Sequence, residues 1–280
     1  KVGRDDRLDR DYERRSESAT RMPFYWVLDE KCRISGCQMI RGTVLSLIKE
    51  IGVDAYKTFI REVIEDTRRN FVARIKETLV PGTYRSPSFM DVPHAGDKGR
   101  MPDYAAVNSL MHCPFELEVD AEGSFDIVLE GASKWGFHSF NCTPSGLQSG
   151  LWVTLCQTLV PHEKVNDGAY LATSFRTPHG SWSNPDNLSV SNTFSWAFLI
   201  PCFSGLVHNI SRGFASRGYL EEVLAAYPYT GNVTLGGGVN QYDHDGSWTN
   251  FEVSSCGISA RWGTDGETGC AATTRQGSDI

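Results

Sequence analysis

The chain has 280 residues, 40% of them hydrophobic and 22% charged, which is enough for one large or two modest domains with a hydrophobic core. Its formal net charge of −7, with Lys and Arg dispersed among acids, argues against a nucleic-acid partner. The longest apolar runs, residues 151–160 and 194–207, are interrupted by Gln157, Pro201 and Gly205, so no membrane span is expected. Eight scattered cysteines without a CxxC pair read as reduced, mostly buried thiols of a cytoplasmic protein.

Residues 1–20 are dense in charge, with Leu8 nearly alone as an apolar anchor, and are expected to form a solvated helix or a segment lying on another part of the protein. The aromatic stretch Met22-Pro-Phe-Tyr-Trp-Val27 leads into an apolar-periodic run from Ile40 to Ile51, punctuated by Gly52. The strongest helical signal covers 54–79. Tyr56, Phe59, Ile60, Val63, Ile64, Thr67, Phe71, Ile75 and Leu79 recur at three- and four-residue spacing, with Asp54 as N-cap and Pro81-Gly82 as terminator. A first, mainly helical segment is thus predicted over 1–82.

Beyond it the period changes to two. Phe115, Leu117 and Val119, then Phe125, Ile127 and Leu129, alternate with polar residues around Asp120-Ala-Glu-Gly123, which predicts a hairpin with one buried face. Residues 147–160 read as a buried helix, Asn166-Asp-Gly168 as the turn into a new strand, and 204–226 as a helix broken at Gly213 and Gly218. The fold class is therefore α+β, with an α+β core over 83–280. Neither end carries a start or stop signal, as expected of an internal fragment of a longer polypeptide.

Four clusters set glycine beside an amide or carboxylate: Asn141-Cys-Thr-Pro-Ser-Gly146, Asn166-Asp-Gly168, His179-Gly-Ser-Trp-Ser-Asn-Pro185 and Gly236-Gly-Gly-Val-Asn-Gln241. Such residues build ordered loops, and these are predicted to gather into a site. Gly236, Gly237 and Gly238 let a backbone approach a carboxylate or phosphate closely, but the run has neither a P-loop ending nor GxGxxG spacing, which places ATP elsewhere.

The helix with Val63-Ile-Glu-Asp-Thr-Arg-Arg69, the following Pro81-Gly-Thr-Tyr84 and hairpin, Asn141-Cys142, Lys164-Val-Asn-Asp-Gly168 and Pro178-His-Gly-Ser181 resemble, in this order, the hydantoinase B family. That family includes large subunits of ATP-dependent hydantoinases, 5-oxoprolinases and ketone carboxylases. Pro23-Phe-Tyr-Trp26, Phe137-His-Ser-Phe-Asn141, Leu199-Ile-Pro201 to Ser211-Arg-Gly-Phe214 and Gly236 to Gln241 are most similar to its acetone carboxylase large (α) subunits. The resemblance implies an ATP-dependent ligase joining acetone and bicarbonate into acetoacetate. It further implies β and γ partner subunits, ATP and Mg²⁺ on a partner, and Mn²⁺ in the full-length large subunit. Hydantoinase and acetophenone carboxylase subunits, and a non-catalytic scaffold that docks partners, stay open as alternatives.

In the family the metal is held by an His-x-x-Asp pair and a further His. The only match here, His94-Ala-Gly-Asp97, lies in a Pro/Gly-rich loop past the long helix and is read as chance, so the ligands are expected upstream of Lys1. His138 is the candidate catalytic group, because an imidazole titrates near neutrality, weighed against a structural histidine. Asn141, Gly236, Gly237, Gly238, Asn240 and Gln241 are the candidate substrate-binding residues, although Asn141 fits loop support better. Asp243-His-Asp-Gly246 reads as a tight turn rather than a calcium loop, and Cys142 and Cys256 lack an activating base.

Overall fold

The computed structural model describes residues 3–4, 7–19, 23–92, 109–138, 140–160, 166–187, 190, 196–224, 232–239, 242–243, 245–252 and 260–266. The chain divides into two compact units, Lys1–Val63 and Ile64–Ile280. The sequence-based division after Gly82 differs from this one because the second half of the long helix contributes Phe71, Ile75 and Leu79 to the core of the second unit.

In the first unit, β1 (Gly3–Arg4) and β2 (Arg7–Leu8) pair as a short antiparallel ribbon. The Asp9 carboxylate then accepts from the backbone N–H groups of Asp11 and Tyr12 at 3.0 and 3.1 Å, capping α1 (Arg10–Ala19). That helix buries no residue of its own, but Tyr12 sets its ring 5.0 Å from Trp26 of α2 (Pro23–Ile51). The aromatic entry is thus the first turn of α2, where proline is tolerated because the N–H it lacks has no helical partner there. Gly52, at φ +85°, ends α2 with its N–H on the carbonyl of Ile48, and α3 (Val53–Thr78) follows at once. Asp54 consequently sits inside the first turn of α3 and not at the N-cap, where its charge still favours the positive end of the helix dipole.

The predicted stripe of α3 is buried in its second half only: Thr67, Phe71, Ile75 and Leu79 are covered, whereas Phe59 and Ile60 are exposed. Beyond Pro81, β3 (Gly82–Ser86), β6 (Phe115–Val119), β7 (Phe125–Val128) and β8 (Thr173–Arg176) form a mixed sheet in the order β3-β6-β7-β8. Its first two pairings are antiparallel and β7–β8 is parallel. Period-two alternation does the sorting. Phe115, Leu117, Val119, Phe125 and Ile127 are buried, while on the other face Glu116 pairs with Arg85, and Glu118 and Asp126 pair with Arg176.

Two helices complete this unit, α4 (Pro144–Leu159) packing on α5 (Trp196–Arg217), which itself lies along β3 and β6. Thr143 caps α4, accepting from the N–H of Gly146 at 3.3 Å, so the first glycine cluster is largely a helix start. Asn166 bridges elements: its Oδ1 accepts from Gly168 N at 2.8 Å and its Nδ2 donates to Thr67 Oγ1 at 2.7 Å, holding a 3-10 turn (Asp167–Tyr170) ahead of β8. The expected break at Gly213 does not occur. α5 runs through it and ends before Gly218, at φ +85°.

Two hairpins remain, β4 (Phe89–Val92) with β5 (Ser109–His112) and β9 (Asn232–Val239) with β10 (Asp245–Glu252). The second overturns the loop expected at Gly236 to Gly238: those glycines are strand residues, paired with Trp248, Ser247 and Gly246. No described helix is long and apolar enough to cross a membrane.

Candidate functional site

Two loops of the second unit are zipped together beside β5. The first, residues 129–143, leaves β7, and the second, residues 177–187, leaves β8. Because β7 and β8 are parallel neighbours, both chains emerge from the same end of the sheet. Lys134 and Ser181 form a β-bridge, Trp135 N donates to Gly180 O at 3.3 Å, Trp182 N to Ser133 O at 3.0 Å and Cys142 N to Trp182 O at 2.7 Å. The fully buried Trp182 anchors the assembly, its indole N–H reaching the carbonyl of His112 at 3.2 Å.

A cleft of about 730 Å³ opens where these loops meet β5. Leu110, Met111, Ala132, Trp135, Phe137 and Pro178 supply apolar wall, and Lys134, His138, His179 and Asp186 supply charge and proton chemistry. Concave, mostly apolar walls with a few convergent polar groups are the usual make-up of a small-molecule site.

The structure places His138 in this lining and constrains it closely. Its Nδ1 accepts from the backbone N–H of Phe140 at 3.1 Å, which assigns the proton of the neutral ring to Nε2. The ring also packs on the Cα of Gly136, where an added Cβ would stand 2.5 Å from His138 Cδ2. Asn141, fully buried, builds the same loop: its Oδ1 accepts from Gly136 N at 3.1 Å, and its Nδ2 donates to Gly136 O at 2.8 Å and His138 O at 3.2 Å. It supports the site through the backbone and does not line the cleft.

Gly236, Gly237 and Gly238 are strand residues of β9, and Asn240, Gln241, His94 and Asp97 lie outside the described residues. Of the turn predicted over Asp243 to Gly246, Asp243, at φ +60°, lies between β9 and β10, His244 is outside the described residues, and Asp245 and Gly246 are strand residues of β10. Cys142 is buried with its Sγ toward Thr143 O, and burial pushes the Cys113 thiol up to about 12 and that of Cys202 well above its ordinary value, so these thiols are poor nucleophiles.

Three residues of the cleft escaped the sequence reading as a group. Trp135 Nε1 donates to Asp186 Oδ1 at 2.6 Å, and His179 Nδ1 stands 3.8 Å from Asp186 Oδ2, so one carboxylate faces two rings. Gly180, at φ +77°, makes the turn between His179 and the buried Ser181, and a Cβ there would lie 3.5 Å from Asp186 Oδ2. The turn was legible as a motif. Its convergence with a loop some forty residues earlier was not, because that depends on the parallel pairing of β7 with β8.

Comparison with known proteins fits this architecture. The chain is 41% identical, over 100% of its own length and 36% of the relative's, to the acetone carboxylase alpha subunit of Xanthobacter autotrophicus (strain ATCC BAA-1158 / Py2). A solved nucleotide-free structure of acetone carboxylase matches 98% of this chain and 36% of that chain, with a TM-score of 0.87 at 40% identity. The ATP-dependent caprolactamase of Pseudomonas jessenii shares the fold, with a TM-score of 0.70 at 14% identity over 97% of this chain and 44% of its own. The chain therefore spans little more than a third of the curated relative it matches. The Hydantoinase B/oxoprolinase family pattern is matched from residue 1 to residue 279, and the chain belongs to that family.

Proposed function

We propose that the chain is a central part of the large subunit of an ATP-dependent ketone carboxylase, which joins acetone to bicarbonate as acetoacetate in a complex with β and γ partner subunits. The observation that supports this most is identity of 41% sustained over the whole chain to an acetone carboxylase alpha subunit. ATP and Mg²⁺ are assigned to a partner subunit. Among the described residues, no three His, Cys, Asp or Glu side chains form a group able to hold a metal ion. In this reading the Mn²⁺ implied by the resemblance is held by residues outside this chain, where it would act as a Lewis acid on an enolate or carboxylate oxygen.

In this reading the cleft beside β5 is where the chain meets a small polar ligand. His138, with its proton on Nε2, enters as a hydrogen-bond donor, and Asn141 enters through the loop it braces. The reconstituted complex is expected to hydrolyse ATP only when acetone and bicarbonate are both present and to form acetoacetate. ATP hydrolysis driven instead by a hydantoin or 5-oxoproline, with no acetoacetate, would overturn the ketone assignment.

A further inference from the structure

The geometry points to His179 and Asp186 as a proton-accepting pair, with His179 as the base facing the cleft and Asp186 as its positioning residue. Three independent features support the pair. Asp186 is held through its other oxygen by the 2.6 Å bond from the Trp135 indole to Oδ1, which orients a carboxylate that is otherwise partly open to solvent. Nδ1 is the His179 ring nitrogen turned toward Asp186 Oδ2, at 3.8 Å, longer than a hydrogen bond but close enough for the carboxylate to favour the neutral tautomer with its proton on Nδ1 and its lone pair on Nε2. Both residues line the same cleft, on a turn fixed by Gly180 and by the bridges from Ser181 to Lys134 and Asn184.

The chemistry is balanced within that lining. A ligand X–H gives its proton to Nε2 and keeps the bonding electron pair on X. The positive charge gained by His179 faces Asp186, and the negative charge gained by the ligand is matched by the ammonium of Lys134 in the same cleft. Lys134, His138 and Asp186 are the other titratable groups of the cleft wall. Polar groups set among Leu110, Met111 and Phe137 suit a small carbonyl or carboxyl compound with one apolar end. This ligand class rests on the ketone-carboxylase reading, whereas the pairing itself does not.

Two measurements separate the two. In the ¹⁵N-labelled 280-residue chain at alkaline pH, His179 is expected to carry its proton on Nδ1 and to shift toward Nε2 in Asp186→Asn. A wild-type ring protonated on Nε2 would overturn the pair, whatever the enzyme's substrate. In the assembled carboxylase, His179→Ala is expected to lower ketone-dependent ATP turnover roughly a hundredfold with little change in KM, and added imidazole to restore part of it. Full turnover in His179→Ala, or a loss that imidazole leaves untouched, would overturn the role as base. A wild-type complex without ketone-dependent turnover would count against the proposed function alone, and the proton position would still decide the pair.

Discussion

At the scale of single residues, polarity near a cleft and contact with a ligand are separate properties, and Asn141 shows why. Its side chain is fully buried and bonds the backbone of residues 136 and 138, accepting from Gly136 N and donating to Gly136 O and His138 O. Asn141→Ala leaves one buried N–H and two carbonyls without that partner, a loss of about 1–3 kcal/mol. Thermal denaturation of the variant is expected several degrees below wild type, with turnover per folded complex nearly retained; a collapse of kcat at unchanged stability would return Asn141 to the ligand. The cysteines make a second residue-scale test. Cys32 and Cys37 are exposed, whereas burial raises the thiols of Cys113, Cys156 and Cys202. A thiol whose pKa is raised on folding favours the folded state below its unfolded value and ceases to do so as pH rises through the folded one. Alkylation mapped by peptide mass is expected to find Cys32 and Cys37 first, with Cys113 contributing a loss of stability as pH rises from its unfolded value toward about 12, and Cys156 and Cys202 adding to it in the same direction.

At the scale of elements, legibility in the sequence followed local periodicity. The hairpin of β6 and β7 and the helices α3 and α4 were readable because alternation of two or spacing of three and four reports which face is covered. Glycine was misread where its role is tertiary. Gly213 reads as a break in isolation, yet it lies within α5 because Leu79 crosses there, 2.3 Å from where its Cβ would stand. Gly205, two turns earlier, is closed off in the same way by Phe115 Cβ at 2.8 Å. Gly236 to Gly238 read as a loop by composition, but pairing with β10 makes them a strand. The two α5 glycines are expected to respond differently to Ala. At Gly205 the neighbour is the root of a fully buried strand side chain that cannot retreat, so Gly205→Ala should destabilise by about 1–3 kcal/mol. At Gly213 the contact is the far end of a leucine, so rotation of Leu79 and the roughly 1 kcal/mol gained in helix propensity should offset most of the cost. Equal midpoints for the two variants in urea would refute this account of α5.

At the scale of the whole molecule, burial is distributed unevenly between the two units. α1 buries no residue and α2 only Val27 and Glu30, the latter paired with Arg33, while Phe24, Met39 and Ile40 stand largely exposed. The second unit instead has a contiguous core running from Phe71, Ile75 and Leu79 through the sheet residues Phe115, Leu117 and Ile127 to Leu151, Leu155, Phe203 and Ile210. Local stability follows buried apolar contact, since that is the term that offsets the conformational entropy of ordering a segment. Hydrogen exchange in the isolated chain is therefore expected to be fast throughout α1 and α2 and slow in β6, β7 and the buried turns of α5. Within α3 the rates should change along one continuous helix: amides before Val63 should exchange with the first unit, and amides from Thr67 to Thr78 with the protected core of the second. Urea should remove the first unit's protection at a lower concentration than the second's. A single transition shared by α2 and β6 would mean that the exposed apolar residues of α2 contribute to one cooperative core after all, and it would remove the basis for treating the units separately.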